Sequence, residues 1–222
     1  SFAPVLDLNG ISQVIGKRSF SADKDEVALL AGAFIKGMQQ AGMASVGKHF
    51  PGHGSVEADS HIAKPVDLRS KQQIFADDMQ PFKQLIAKQS VQGIMPAHVI
   101  YPNVDPNPAG FSPYWLQDIL RQELGFNGVI FSDDLGMKGA AVAGGYVERA
   151  QAAIDAGCNM ILVCNDSAGA TAVLEGVDWP QSEQSVTAKA LKPDYSAVAN
   201  ALQNSERWEK AKVIADKIRQ AC

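Results

Sequence analysis

The strongest constraint on this fold is a regular alternation of short apolar runs with longer amphipathic stretches. The apolar runs are Phe2–Leu8, Ala44–Phe50, Gly93–Val99, Gly128–Ser132 and Asn159–Cys164. They are largely apolar rather than alternating with polar residues, as expected for strands that are buried on both faces. Five such strand–helix units in succession predict a parallel sheet covered by helices.

The stretches after the runs carry apolar residues every three or four positions, which is the period of an amphipathic helix. The predicted helices cover residues 23–42, 71–89, 113–124, 146–156 and 167–175. In the first helix, the apolar residues with this spacing are Val27, Leu30, Ala31, Phe34 and Met38. Gly42 stands where a glycine commonly ends a helix.

The strand rhythm stops after about Gly176, and residues 177–222 are predicted to form a C-terminal helical extension. One more amphipathic helix is expected over residues 194–220, packed on the outside of the fold. Its apolar members are Leu202, Trp208, Val213, Ile214 and Ile218.

Two α/β architectures fit these units, an open doubly wound sheet and a (β/α)8 TIM-type barrel. The chain has no GxGxxG after its first run and no GxxxxGK[ST], which disfavours a nucleotide-binding open sheet. A barrel needs eight units and typically about 250 residues. We therefore expect an α/β barrel that lacks its first two or three N-terminal strands in this chain of 222 residues.

Composition narrows the class of protein and its partners. The 24 acidic residues outnumber the 20 basic ones, which disfavours nucleic-acid binding, and no run approaches a membrane span. Three cysteines cannot form a complete disulfide framework, so we expect reduced, buried thiols in a cytosolic protein. The chain opens at Ser1 directly in its first predicted strand, and is silent about any upstream targeting segment.

Ionisable residues collect where the predicted strands end. These residues are Asp7, Lys48, His49, His98, Asp133 and Asp134. In a parallel α/β fold, the carboxyl ends of the strands meet at one face, and ligand sites lie there. Any one polar strand end can simply be the point where a strand meets a loop. The clustering of several, however, favours a functional site.

Four histidines lie between residues 49 and 98, which raises the alternative of a metal site. Such a site would use His49, His53 and His61, with Asp59 as a further ligand. The spacing of His49 and His53 would suit a helix, but a proline and a glycine between them forbid one. We expect no metal, and we expect His53 by itself to hydrogen-bond loop backbone.

Asp59 and His61, within the loop 51–70, are a more specific candidate for a functional pair than the metal alternative. In an extended stretch, residues two apart project to the same side. A carboxylate beside an imidazole fixes its tautomer and raises its pKa, which suits a proton shuttle. A surface pair without a role is the alternative. Twenty residues without clear secondary structure are typical of a binding loop or lid, so we expect this loop to move.

Asp133 is the predicted nucleophile or electrostatic stabiliser, because a rigid strand holds its backbone. Asp134 should point elsewhere, as a cap for the next segment. Arg18, in the loop after the first run, could fork hydrogen bonds to ligand oxygens, or could be a solvated cation.

The motifs KHFPGHG, DSH, GIMPAHV and VIFSDDLGM, together with their spacing, resemble glycoside hydrolase family 3. Within that family the chain is most similar to the bacterial cytoplasmic β-N-acetylglucosaminidases (β-hexosaminidases) of peptidoglycan recycling. The match runs from Ser1 to about Glu175 and is weaker in the tail. Residues 1–222 would then be a single, partial barrel domain of this family.

The resemblance implies a retaining exo-hydrolase that removes terminal N-acetylglucosamine from muropeptides and anhydro-muramyl fragments. By position, Asp133 matches the nucleophile, His61 the acid/base and Asp59 its dyad partner. The residues that match sugar-binding positions are Arg18, Lys48 and His49. Glu57 is the rival acid/base. Family members carry a further sugar-binding Asp and Arg in a segment upstream of SFAPVLDL, and neither is in this sequence.

The resemblance also implies a monomer with a small-molecule sugar substrate, without a cofactor, nucleic acid or membrane as partner. Two alternatives remain open. One is a broader family 3 exo-hydrolase of β-glucosidase type, and the other is an inactive, truncated sugar-binding protein.

Overall fold

The predicted apolar runs form a parallel sheet in a computed structural model that describes residues 4–57, 65–180, 188–203 and 205–221. The strands are β1 (Val46–Phe50), β2 (Gly93–Pro96), β3 (Ile100–Tyr101), β4 (Asp105–Pro108), β5 (Val129–Asp134) and β6 (Met160–Leu162). The main sheet has the order β1-β2-β5-β6, and every pair in it is parallel. The short strands β3 and β4 form a separate antiparallel pair.

The first apolar run lies beside β1 as a further parallel segment. Val5 forms a parallel bridge with Lys48, and the Leu6 amide donates to the Lys48 carbonyl over 2.7 Å. Adjacent segments of the sheet therefore follow the order of the chain, as in a wall of consecutive strand–helix units. This confirms the parallel α/β fold. The closed barrel and its missing strands stay predictions, because the strand pairs of the described residues form an open sheet.

The helices largely follow the predicted periodicity. They are α1 (Lys24–Gln40), α2 (Lys71–Ala76), α3 (Met79–Ala87), α4 (Tyr114–Glu123, with the turns of a π-helix), α5 (Tyr146–Ala156), α6 (Ser167–Gly176), α7 (Tyr195–Gln203) and α8 (Ser205–Ala221). Asp23 caps α1 by accepting hydrogen bonds from two backbone amides of the first turn.

One predicted helix is divided in the structure. The helix expected over 71–89 is interrupted at Asp77 and Asp78, because Pro81 has no N–H to donate to the Asp77 carbonyl four residues earlier. Helices α7 and α8 cover the helix expected over 194–220.

The buried face of α1 differs from the predicted one. Val27 and Ala31 are buried as expected, but Ile35 completes the stripe, whereas Leu30 and Phe34 are exposed. Both stripes satisfy a helical period, and packing in the folded protein selects between them.

The tail lies on the outside of the fold beside α1, but its apolar residues are largely exposed. All five predicted apolar members of this segment, from Leu202 to Ile218, are at least 55% exposed. The tail meets the end of α1, where the Asp194 amide donates to the Gly42 carbonyl over 2.9 Å. This contact holds the start of the tail. Farther along, Arg207 bonds Gln40, and Trp208 faces a small cavity beside Gly37 and Ala41 although it is 64% exposed.

The thiol prediction holds for one of the two described cysteines. Cys158 is buried and Cys164 is exposed, and both are free. In the described residues, no helix is both long enough and apolar enough to cross a membrane.

An aromatic cluster around Trp115 joins β1, α3 and α4. The Trp115 ring contacts Phe50 and Tyr101 edge-on, and Phe50 in turn contacts Phe82. All four side chains are fully buried. This rigid core fixes the carboxyl end of β1, from which the candidate site is built.

Candidate active site

Four of the six predicted site residues line one cavity of about 330 Å³. They are Arg18, Lys48, His49 and Asp133. The cavity lies outside the carboxyl ends of β1 and β5, which is where a parallel sheet is expected to bind its ligand. Its remaining walls are formed by His53 and by three apolar side chains, Val14, Ile15 and Met137.

Asp133 reaches the cavity from the end of β5, a strand that lies between β2 and β6. It is half-buried, between the fully buried Ser132 and the turn that follows the strand. One of its carboxylate oxygens accepts a hydrogen bond from the Asp134 amide over 2.8 Å. This hydrogen bond holds the Asp133 carboxylate in place and does not involve its second oxygen.

Asp134 points away from the cavity, as predicted. Its Oδ1 accepts hydrogen bonds from the amides of Gly136, at 2.9 Å, and Cys164, at 3.0 Å. Asp134 thus ties the turn after β5 to the end of β6, which steadies the neighbouring Asp133.

Two cations face the candidate nucleophile. Burial and the nearby Arg18 guanidinium lower the pKa of the Lys48 ammonium, while the carboxylates of Asp133 and Asp7 act in the opposite direction. Arg18 is exposed at the rim, and its Nη1 donates to the Val14 carbonyl over 3.3 Å. This part of the cavity can donate hydrogen bonds to hydroxyl or carbonyl oxygens.

His49 is bound from behind by a buried carboxylate. Its Nδ1 lies 2.7 Å from Oδ2 of Asp7, and its backbone amide donates to the same carboxylate. Burial by itself would raise the pKa of Asp7, but His49 and the His53 amide outweigh it, so this pKa is lowered and the group stays ionised.

His53 belongs to the cavity wall, beyond the structural role that the sequence suggested. A turn at Pro51 and Gly52 brings it back beside His49, with ring centroids 6.1 Å apart. Its Nδ1 lies 3.4 Å from the Ser12 hydroxyl, and burial lowers the pKa of the imidazole. Its place four residues after His49 in KHFPGHG was the available signal, and the turn that closes this spacing is a tertiary feature.

His98, although it follows the end of β2, supports the site from outside the cavity. Its Nε2 lies 3.2 Å from the carbonyl oxygen of Asp134, and its ring packs on Phe111. Its Nδ1 is buried without a hydrogen-bond partner among the described residues. Complete burial lowers the pKa of this imidazole, so the ring is neutral and braces the turn after β5.

The predicted dyad, Asp59 and His61, lies outside the described residues, so its geometry and the expected movement of the loop 51–70 remain predictions. The described ends of that loop are anchored. The Tyr101 hydroxyl donates to the Gly52 carbonyl over 2.7 Å at the start of the loop, and Arg69 bonds Asp67 and Asp78 at its end.

In the part of the chain that the structure describes, no group of three or more His, Cys, Asp or Glu side chains could hold a metal ion. Two of the four residues of the metal alternative, His61 and Asp59, lie outside that part. A larger cavity of about 390 Å³, between Lys24 and Arg69, contains none of the predicted site residues.

Comparison with known proteins gives a consistent picture. The model of the glycosyl hydrolase family 3 N-terminal domain matches residues 1–220. A β-hexosaminidase from Shewanella frigidimarina is 66% identical over 215 residues, which are 97% of this chain and 63% of the relative. Another, from Tolumonas auensis, is 56% identical over 209 residues, or 94% of this chain and 62% of the relative.

A solved structure of NagZ from Neisseria gonorrhoeae, in complex with N-trifluoroacetyl-D-glucosamine, has a similar fold. It superposes with a TM-score of 0.81 at 44% identity, over 91% of this chain and 59% of the neighbour. The chain thus spans somewhat less than two thirds of the length of these relatives.

Proposed function

Because this chain belongs to the glycosyl hydrolase family 3 N-terminal domain family, we propose that it acts as a retaining exo-β-N-acetylglucosaminidase. The observation that carries the proposal is the cavity in which Asp133 lies together with Lys48, His49 and Arg18. A carboxylate on a rigid strand, opposed by cations and hydrogen-bonding groups, suits attack on a neutral, hydroxyl-rich ring. The names of the close relatives support the same activity.

In the first step, the Asp133 carboxylate attacks the anomeric carbon of a β-linked N-acetylglucosamine. A glycosyl ester forms and the bond to the departing oxygen breaks. Lys48, His49 and Arg18 hold the sugar through its oxygens. The 2-acetamido group is a binding handle, and the enzyme supplies the nucleophile.

His61, protonated and held by Asp59, donates a proton to the departing oxygen in that step. In the second step the same imidazole accepts a proton from water as the water attacks the glycosyl ester. The sugar leaves with retained configuration, and the Asp133 carboxylate is regenerated. This dyad is carried over from the family resemblance by position.

The substrates we propose are muropeptides and anhydro-muramyl cell-wall fragments with a terminal N-acetylglucosamine, in the cytoplasm and acted on by a monomer. The complex of the Neisseria protein with an N-acylated glucosamine supports the sugar class. The aglycone, location and monomeric state rest on the family resemblance.

The decisive experiment is trapping with a fluorinated N-acetylglucosaminide that reacts quickly and is released slowly. Mass spectrometry should find the glycosyl adduct on Asp133, and Asp133→Asn should form none. Asp118→Asn, at an exposed carboxylate on α4, is the control and should still be labelled. An adduct on Glu57, or turnover without an adduct, would reject the assignment.

A panel of aryl glycosides that differ only at the sugar 2-position separates the alternatives. Preference for the 2-acetamido sugar supports the proposal, and equal turnover of glucosides points to a broader exo-hydrolase. Binding of N-acetylglucosamine without any hydrolysis would identify a sugar-binding protein instead.

A further inference from the structure

Asp7 is a fully buried carboxylate directly behind the wall of the candidate site. It ends the first apolar segment, next to β1, and three N–H groups converge on it. These are the backbone amides of His49 and His53 and the Nδ1 of the His49 ring. Since the side chain has no exposed surface, its two oxygens serve only these internal donors and the ring they hold.

The two carboxylate oxygens of Asp7 differ in their main hydrogen-bond partners. Oδ1 accepts the His53 amide at 2.7 Å and shares the His49 amide at 3.2 Å. Oδ2 lies 2.7 Å from Nδ1 of His49 and 3.1 Å from the same amide. An ionised carboxylate can only accept hydrogen bonds, so Nδ1 of His49 must carry a proton.

We propose that Asp7 is a positioning residue that fixes His49 as its Nδ1–H tautomer, so that Nε2 meets the ligand as a hydrogen-bond acceptor. The bond made by one ring nitrogen sets the protonation of the other. Nε2 has no hydrogen-bond partner among the described residues, and His49 lines the cavity.

This inference rests on the proposed function and deepens it by stating which groups of the pocket donate hydrogen bonds and which accept them. Lys48 and Arg18 can only donate hydrogen bonds, so they take oxygens of the ligand as acceptors. In the Nδ1–H tautomer, the His49 ring supplies an acceptor for a ligand O–H. The group that His49 recognises is accordingly a sugar hydroxyl rather than a carbonyl oxygen.

The substitution Asp7→Asn should turn Nε2 of His49 from a hydrogen-bond acceptor into a donor, with little change in the shape of the substituted side chain. The His53 amide needs an acceptor at the Oδ1 position, so the amide oxygen of the asparagine takes that place. Its NH2 group then occupies the Oδ2 position and donates to Nδ1 of His49. The ring must shift its proton to Nε2, which becomes a hydrogen-bond donor towards the ligand.

The test is the tautomer of His49, read from the ring nitrogens of the full chain by 15N NMR at alkaline pH. The His49 signals are those that disappear in His49→Gln. The wild-type protein should show a protonated Nδ1 and an unprotonated Nε2, and Asp7→Asn the reverse. A wild-type ring protonated at Nε2 overturns the inference, and this measurement stands even if the variant fails to fold.

Binding of N-acetylglucosamine, measured by calorimetry, tests the consequence. Asp7→Asn should weaken binding about 10-fold or more, as expected for loss of one hydrogen bond to a buried acceptor. The control Asp118→Asn, at an exposed carboxylate on α4 away from the cavity, should bind normally.

The outcomes separate the inference from the proposed function. An unchanged tautomer in Asp7→Asn, or a reversed tautomer with unchanged sugar binding, overturns the positioning role. Failure of the wild-type chain to bind the sugar counts against the proposed function, while the NMR result still decides whether Asp7 sets the tautomer.

Discussion

At the scale of single residues, burial sets the charge of two histidines at the site. His53 is 3% exposed and His98 is 1% exposed. Desolvation lowers both pKa values from 6.5, although the carboxylate of Asp7 acts against it at His53 and that of Asp133 at His98. Both rings are therefore neutral at neutral pH, and His53 lines the cavity while His98 supports it from outside.

These shifts predict that the protein loses stability as the pH falls below about 6.5. There the unfolded histidines take up protons that the folded ones do not, so the unfolded state binds more protons and stability rises with pH. Each histidine makes its full contribution to stability above pH 6.5. As the pH falls from 6.5 towards the pKa of the folded state, this contribution is lost at up to about 1.4 kcal/mol per pH unit for each histidine.

Urea unfolding across this pH range checks the prediction. His98→Gln, which keeps a donor but cannot ionise, should make the dependence shallower. Asp7 does not interfere, because its pKa lies below 3.8 and its contribution is lost only in stronger acid. Identical slopes in the variant and the wild type would show that His98 does not titrate as described.

At the scale of elements, the loop 51–70 is tied to the start of α3 by a buried ionic network. Arg69 bonds Asp67 and Asp78, both over 2.7 Å, and the Ser55 hydroxyl reaches Asp78 over 3.4 Å. The two carboxylate side chains are at most 2% exposed. The network therefore joins both described ends of the loop, where the chain enters and leaves the predicted catalytic segment.

Arg69→Ala is expected to lower the free energy of unfolding by about 3 kcal/mol, because it leaves two buried carboxylates without their cation. Arg219→Ala is the matched control. It removes an exposed ion pair with Asp216 on α8 and should cost at most about 0.5 kcal/mol. Urea unfolding followed by fluorescence compares the two, and equal losses would contradict a structural role for the network.

At the scale of the whole molecule, the sheet and helices up to α6 form the packed body, and the tail adds little buried surface to it. Trp115 in the core has no exposed surface, whereas Trp208 in α8 is 64% exposed. The apolar side chains of the tail therefore contribute little to stability in this arrangement.

The two tryptophans make a direct comparison. Trp115→Ala should destabilise the protein by about 3–5 kcal/mol through loss of core packing. Trp208→Ala should stay within about 0.5 kcal/mol. Thermal unfolding measures both, at about 2–4 °C per kcal/mol for a chain of this size. A large loss in Trp208→Ala would show that the tail packs against the body in solution.

Much of the fold follows from local features of the sequence. Runs of apolar residues and a period of three to four positions specify strands and helices through contacts between near neighbours, and α1, α5 and α6 match their predicted bounds closely. The meeting of Arg18, Lys48, His49 and Asp133 in one cavity was also predictable. Parallel strands necessarily bring their carboxyl ends to one face.

Other features depend on contacts between distant residues, which a local pattern does not encode. Packing in the folded protein selected which stripe of α1 is buried, and the tail buried few of its apolar side chains. The same holds for Asp7, which the sequence shows only as a polar strand end. The alignment of its segment with β1 places the carboxylate behind His49, more than forty residues away in the chain.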